Sequence, residues 1–188
     1  MSEDAVEAPG GRTSGTPAPP EVRLVAVREG HKPVLDRLLQ LYLYDFSEIR
    51  TLELTPHGTY PYRYLDHYFV EAGRHASFIV AGDQIAGFAL MRRLDDGTNQ
   101  VAEFFVLRAH RRHGVGRAAA RALLRRFPGR WCLEFDQANA AAGQFWPAVV
   151  AEVADGPMGS RDLGPPEVDH PCTQLTFTTS DGAISADG

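Results

Sequence analysis

FFVLRAHRRHGVGRAA, residues 104–119, is the stretch on which the fold turns. It opens as an unbroken apolar strand, crosses a basic turn holding Gly114, Val115 and Gly116, and ends in alanines and arginines that suit a helix. A helix starting at such a turn has main-chain N–H groups without intrahelical acceptors, and glycine lets an anion approach them closely. Arg111, Arg112, His113 and Arg117 surround those groups, so the turn suits a pyrophosphate. It is not a dinucleotide fingerprint, because the Gly-x-Gly-x-x-Gly spacing is missing. Nor does a lysine followed by Ser or Thr make it a nucleoside-triphosphate loop.

Working outward, QVAEFFVLRA (100–109) is apolar enough to predict a central strand covered on both faces, and Gly114 to Phe127 is the helix that follows it. RWCLEF (130–135) reads as the next strand, and Asn139 as the cap of a helix through Phe145, Trp146, Val149 and Val150. Upstream, 76–81 and 85–91 form a hairpin turning at Gly82 and Asp83. EVRLVAV (21–27) is a first strand. Val34, Leu35, Leu38, Leu39, Leu41 and Tyr42 then recur at three- and four-residue spacing, which predicts a helix with these side chains on one face. The second half of 55–74 predicts a short helix. Residues 154–171, rich in Gly and Pro, read as one long loop before a last strand, TQLTFTT. Hairpin pairing mixed with a strand-helix-strand crossover implies an α/β fold with a mixed, mostly antiparallel central sheet and flanking helices.

The chain carries 19 Lys plus Arg against 24 Asp plus Glu, a net charge of -5, so no nucleic-acid partner is expected. Eight arginines between residues 108 and 130 nevertheless give the turn and its helix a local positive field. Apolar residues make up 44 % of the chain, enough for one core. Residues 1–20 and 179–188 are poor in core-forming side chains and read as a disordered leader and a flexible tail around a single domain, 21–178. Cys132 and Cys172 have neither metal-ligand nor disulfide-scaffold spacing, and no apolar run reaches the roughly 20 residues of a membrane span. The expectation is a cytoplasmic protein with no metal and no membrane partner.

Arg111, Gly114 and Gly116 follow the pattern Gln or Arg, two residues, Gly, any residue, Gly or Ala. Asn139, Ala142, Phe145 and Trp146 follow a second pattern, an Asn and an Ala three residues later leading to an aromatic pair. In this order the two motifs resemble those of the GCN5-related N-acetyltransferase (GNAT) superfamily, clearly over 85–150 and more loosely over 21–84. The resemblance implies transfer of an acetyl group from acetyl-coenzyme A to a small-molecule or peptide amine, in a ternary complex without a covalent enzyme intermediate. It implies that the fourth and fifth strands splay, with the backbone groups of Val106 and Leu107 pairing with the pantetheine amides and polarising the thioester carbonyl. Arg111, Arg112, His113, Gly114, Val115, Gly116 and Arg117 would hold the pyrophosphate, beside Asn139 and Phe145. A homodimer is compatible with it. The alternative is a coenzyme-binding regulatory module without efficient catalysis.

An alkyl amine has a pKa of about 10 and must shed protons to attack a thioester. Glu103, an acid inside the apolar strand, is the expected base. Relatives often protonate the leaving thiolate with a tyrosine of the last matched helix, but this chain has none after Tyr68, and the indole of Trp146 is a poor acid. All six tyrosines lie between residues 42 and 68. Tyr44 is the expected replacement, and Asp45, Tyr64, His67 and Trp146 are the expected contacts to the amine substrate.

Overall fold

A computed structural model describes residues 21–180. Residues 1–20 and 181–188, which hold the expected leader and most of the expected tail, lie outside the described residues. Thr179, the first residue of that tail, is buried, and its hydroxyl donates to the Leu124 carbonyl at 3.2 Å.

Among the described residues, seven strands form one sheet: β1 (Val22–Ala26), β2 (Arg74–Ala81), β3 (Gln84–Arg93), β4 (Asn99–Val106), β5 (Gly129–Asp136), β6 (Gly159–Leu163) and β7 (Cys172–Thr179). Their order is β1-β2-β3-β4-β5-β7-β6, antiparallel throughout except for the parallel β4–β5 pair. The sequence missed β6. GSRDL lacks apolar alternation because it is an edge strand exposed along most of its length, with Leu163 its one buried side chain.

Helices α1 (Lys32–Phe46) and α2 (His67–Val70) pack on one face, α3 (Val115–Arg126) and α4 (Ala140–Ala151) on the other. Pro33 suits the first turn of α1, where no intrahelical N–H bond is lost. Leu35, Leu38 and Leu39 bury against Phe78, Phe88 and Phe105, and Tyr42 continues the same face one turn later. Leu41, expected on that face, is exposed, since its position is rotated away from the Leu35–Leu38–Tyr42 stripe. On α3, Ala119 and Ala120 bring the helix close to the sheet, with Leu123 and Leu124 filling the deeper core.

Two irregularities shape the centre. Leu90 pairs with Glu103 but Met91 with Val101, leaving Ala102 as a bulge in β4. Val101 therefore faces the α3–α4 core, whereas beyond the bulge Phe104 and Val106 take that face and Glu103, Phe105 and Leu107 turn toward α1. Beside this, β4 meets β5 at only three pairs, Asn99–Trp131, Gln100–Cys132 and Val101–Leu133, before the two strands part.

The β3–β4 ladder is unusually close at Gly87, where an added Cβ would overlap the Phe105 carbonyl and crowd the Val106 Cα. Gly87→Ala is expected to cost about 2–3 kcal/mol by forcing the two strands apart, read as a lower urea midpoint. An unchanged midpoint would contradict this packing.

Candidate active site

The parting of β4 and β5 opens a cleft formed by two cavities of about 640 and 480 Å³, which share Tyr42, Phe46, Phe104, Asn139, Ala142 and Trp146 along their walls. The larger reaches the start of α3 and includes Val106, Arg108, Arg111, Arg112, Gly114, Gly116, Arg117 and Phe145. The smaller extends past Glu103 and the end of β5 to the β6–β7 loop.

At the larger end, Gly114 caps α3 with φ 77, a left-handed conformation that favours glycine, and Arg112 has φ 64. The first main-chain bond into the helix is Ala118 N–H to the Gly114 carbonyl at 3.0 Å, and no side chain caps the helix. The N–H groups of residues 114–117 thus precede the first intrahelical donor and meet no acceptor among the described residues. Gly116 faces Val106 and Phe145, where a Cβ would lie 3.5 Å and 3.6 Å from their nearest side-chain atoms. Val115 is buried in the core, so only its main chain belongs to this turn. His113 does not line either cavity.

The arginines of the turn are largely engaged with acids. Asp45, at the end of α1, is clamped between Arg108, whose Nε donates at 2.9 Å, and Arg111. Burial acts to raise the Asp45 carboxyl, but the Arg111 and Arg108 guanidiniums together hold it below its ordinary range. Asp45 therefore sits in the cleft as a partner of the turn, not as the free anion expected for a cationic substrate. Arg111 also donates from Nε to the Val106 carbonyl at 2.8 Å, and Arg117 pairs with Glu152 at 2.8 Å.

Leu107 does not have the expected free donor. Its N–H is spent on the Ala86 carbonyl at 2.8 Å, within the β3–β4 ladder. Antiparallel pairing alternates the direction of main-chain groups, so those of Phe104 and Val106 point away from β3 toward the gap, where β5 has already diverged. The residue before Leu107 presents its N–H to the cleft.

Glu103 lies at the centre. Tyr42 donates to one carboxylate oxygen at 2.7 Å, and Tyr62 to the other at 3.3 Å. Burial lifts the Glu103 carboxyl above its ordinary value, against the opposing hydroxyls of Tyr42 and Tyr62 and the charge of Arg92. Burial first, then the Glu103 charge, holds both phenols above theirs, so they remain donors. Sequence reasoning missed Tyr42 and Tyr62 as site residues. The signal for Tyr42 was its place on the buried stripe of α1, whereas Tyr62, in an irregular segment, gave none.

Tyr44 is 64 % exposed and lines neither cavity, because two residues along a helix separate it from Tyr42 by about 200°. Tyr64 and His67 also lie away from the cleft: Tyr64 packs between Arg63 and Arg74, and His67 bonds Glu71 at 2.5 Å. Asn139 lines both cavities while its side chain accepts from Ala142 N–H at 3.0 Å as the cap of α4. Phe145 stacks on Phe104, and Trp146, nearly buried, forms the wall between them.

The far end of the cleft is closed by a salt bridge. Asp136 is buried at the end of β5, and Arg50, from the loop after α1, donates to both its oxygens at 2.5 and 2.7 Å. Ala138 N–H and His170 add contacts at 2.8 and 3.2 Å, which ties the β6–β7 loop to the same carboxylate. Cys132 is buried, and its burial pushes the thiol up to about 11, which leaves it a poor nucleophile. Among the described residues, no group of three or more His, Cys, Asp or Glu is arranged to hold a metal, and no helix is long and apolar enough to cross a membrane.

A family model described as the acetyltransferase (GNAT) family matches residues 36–148. A comparison with curated proteins gives no match. Among solved structures, an acetyltransferase from Thermus thermophilus superposes with a TM-score of 0.62 at 18 % identity, covering 84 % of this chain and 96 % of that one. An acetyltransferase of the GNAT family from Staphylococcus aureus gives 0.58 at 13 % identity, over 83 % and 99 %. An aminoglycoside acetyltransferase in complex with coenzyme A gives 0.61 at 13 % identity, over 84 % and 95 %. At such identities these likenesses concern the fold.

Proposed function

Because the chain belongs to the acetyltransferase (GNAT) family, we propose that it transfers an acetyl group from acetyl-coenzyme A to an amine by direct attack in a ternary complex. The observation that carries this reading is the early parting of β4 and β5, which joins the uncapped start of α3 and the Glu103 carboxylate in one continuous cleft.

The residues present fit the coenzyme. The unpartnered N–H groups of 114–117, at the positive end of the α3 dipole, would hold its pyrophosphate. Arg111, Arg112 and Arg117 would add charge there, with Arg111 exchanging Asp45 for phosphate. When bound, the coenzyme supplies an acetyl group as an activated thioester. Of the two, the Val106 N–H would polarise the thioester carbonyl, since that of Leu107 is bonded to Ala86, and such a donor favours the transition state over the ground state. Glu103 takes the proton that the amine nitrogen sheds as the C–N bond forms. Its raised pKa brings it nearer to the task than an ordinary carboxylate. Trp146 and Phe46 wall the channel through which the amine arrives.

The test is thiol release from acetyl-coenzyme A against a panel of benzylamine, histamine, spermidine, kanamycin and short peptides with free N-termini. Release that depends on an amine is expected. Coenzyme binding by calorimetry with no release across the panel would instead favour a binding module.

A further inference from the structure

Asp45 is placed against local preference. It lies in the last turn of α1, where the helix dipole disfavours an anion, and no basic residue shares that turn. Its compensation comes from across the cleft. One carboxylate oxygen accepts from Arg108, at 2.8 and 2.9 Å, and the other accepts from Arg111. An anion whose two oxygens are each gripped by a separate guanidinium has the charge and the bonding of a phosphate at the same spot. Arg111 is held on two further sides: its Nε donates to the Val106 carbonyl at 2.8 Å, and its guanidinium lies 5.6 Å from the centre of the Phe105 ring. It is thus drawn back between the end of β4 and the end of α1, while the N–H groups of residues 114–117 meet no acceptor among the described residues.

Resting on the reading of this turn as the coenzyme's pyrophosphate site, we propose that Asp45 is an internal stand-in for phosphate, an autoinhibitory contact that occupies Arg108 and Arg111 until the coenzyme displaces it. The clamp sets the affinity for coenzyme below what the turn alone would give. Filling the turn in turn releases α1 from it.

The exchange is one of two anions competing for two guanidiniums. Arg112, which lines the same cavity, has no acidic partner among the described residues, so it meets an incoming phosphate while the clamp still holds. Once phosphate takes Arg108 and Arg111, Asp45 becomes an unpaired acid on the wall of the larger cavity, one turn beyond Tyr42, which lines both cavities. Occupancy at one end of the cleft therefore changes the charge on the wall leading to the other. Glu48, a second acid of that wall, approaches only Arg108, at 3.9 Å, and is exposed, so it shares the charge of Asp45 without its grip on Arg111.

Asp45→Asn keeps the shape of the side chain and removes its charge. A clamp closed in about nine molecules of ten lowers apparent affinity about tenfold, so by calorimetry this variant should bind coenzyme A and inorganic pyrophosphate each about tenfold more tightly than the wild type. Glu48→Gln should stay within about twofold. The urea midpoint of Asp45→Asn should not rise, which separates a clamp from a side chain that merely builds the turn, whose loss would lower affinity and stability together. In the wild type, 13C NMR of labelled aspartate should show Asp45 titrating higher once coenzyme A saturates the protein, because its guanidinium partners have left. Unchanged or weaker binding by Asp45→Asn, an equal gain from Glu48→Gln, or an Asp45 titration that coenzyme A leaves in place would overturn the proposal while leaving acetyl transfer standing. Coenzyme A that binds neither the wild type nor Asp45→Asn would remove the phosphate site, and with it both acetyl transfer and this proposal.

Discussion

Glu103→Gln is expected to lower kcat about a thousandfold at neutral pH, the loss typical of removing a positioned proton acceptor. The direction of the pH dependence follows from the carboxyl's environment. Burial raises the Glu103 pKa, so in the wild type kcat/KM referred to the neutral amine should rise with pH through a value above the ordinary carboxylate range, then level once Glu103 is ionised. The glutamine variant should lack that limb and regain part of its rate only as alkaline pH deprotonates the amine. Stability should move the other way. The folded state binds this proton more tightly than the unfolded chain, whose glutamate titrates near about 4.3. Stability contributed by the site is therefore present at low pH and declines as pH rises from the unfolded toward the folded pKa. Above that window the ionised side chain is a burden that glutamine removes. The urea midpoint at pH 7 should accordingly be unchanged or higher in the variant. A retained acid limb would exclude Glu103 as the base, and a lowered midpoint would mark the carboxylate as structural instead.

Gly116→Val is expected to weaken acetyl-coenzyme A binding several-hundredfold, as measured by calorimetry, with an unchanged circular dichroism spectrum. The Cβ itself fits, 3.5 Å from Val106 and 3.6 Å from Phe145, and the two methyls beyond it would crowd that wall of the cleft beside the helix start. Two charge-assisted hydrogen bonds lost at about 1.5–3 kcal/mol each give that order of magnitude, since about 1.4 kcal/mol is tenfold. The fold tolerates the change because residue 116 sits in the first turn, where the helix does not need its N–H. Unchanged affinity would show that the phosphates bind elsewhere.

The turn and its glycines were readable because they combine a local conformational demand with a local charge. Gly114 needs a left-handed backbone, and the strand and helix on either side have strong periodicity. The same holds for α1, where the stripe ending in Tyr42 announced a buried face. What stayed hidden depends on rotation and register. Tyr44 is an equally good phenol by sequence, yet a helix sends it to solvent while its neighbour two positions earlier enters the cleft. Leu107 lost its expected role to its N–H bond with Ala86, a matter of which main-chain groups face which neighbour. Asp45 and the arginines near it looked like independent binding groups, and only the packing of α1 against the turn shows them paired. β6 escaped because an exposed edge strand has no core face to pattern.

The unpaired Ala102 has a consequence for how this strand can be edited. Ala102 and Glu103 both lie on the α1 side, so the alternation of faces breaks only between them, and deleting the alanine would set Glu103 directly after Val101 in a regular ladder with every later side chain on the face it already occupies. The extra residue therefore sets the local twist and bend of the strand, not the side on which the carboxylate lies. A lineage could lose it without turning the sheet inside out.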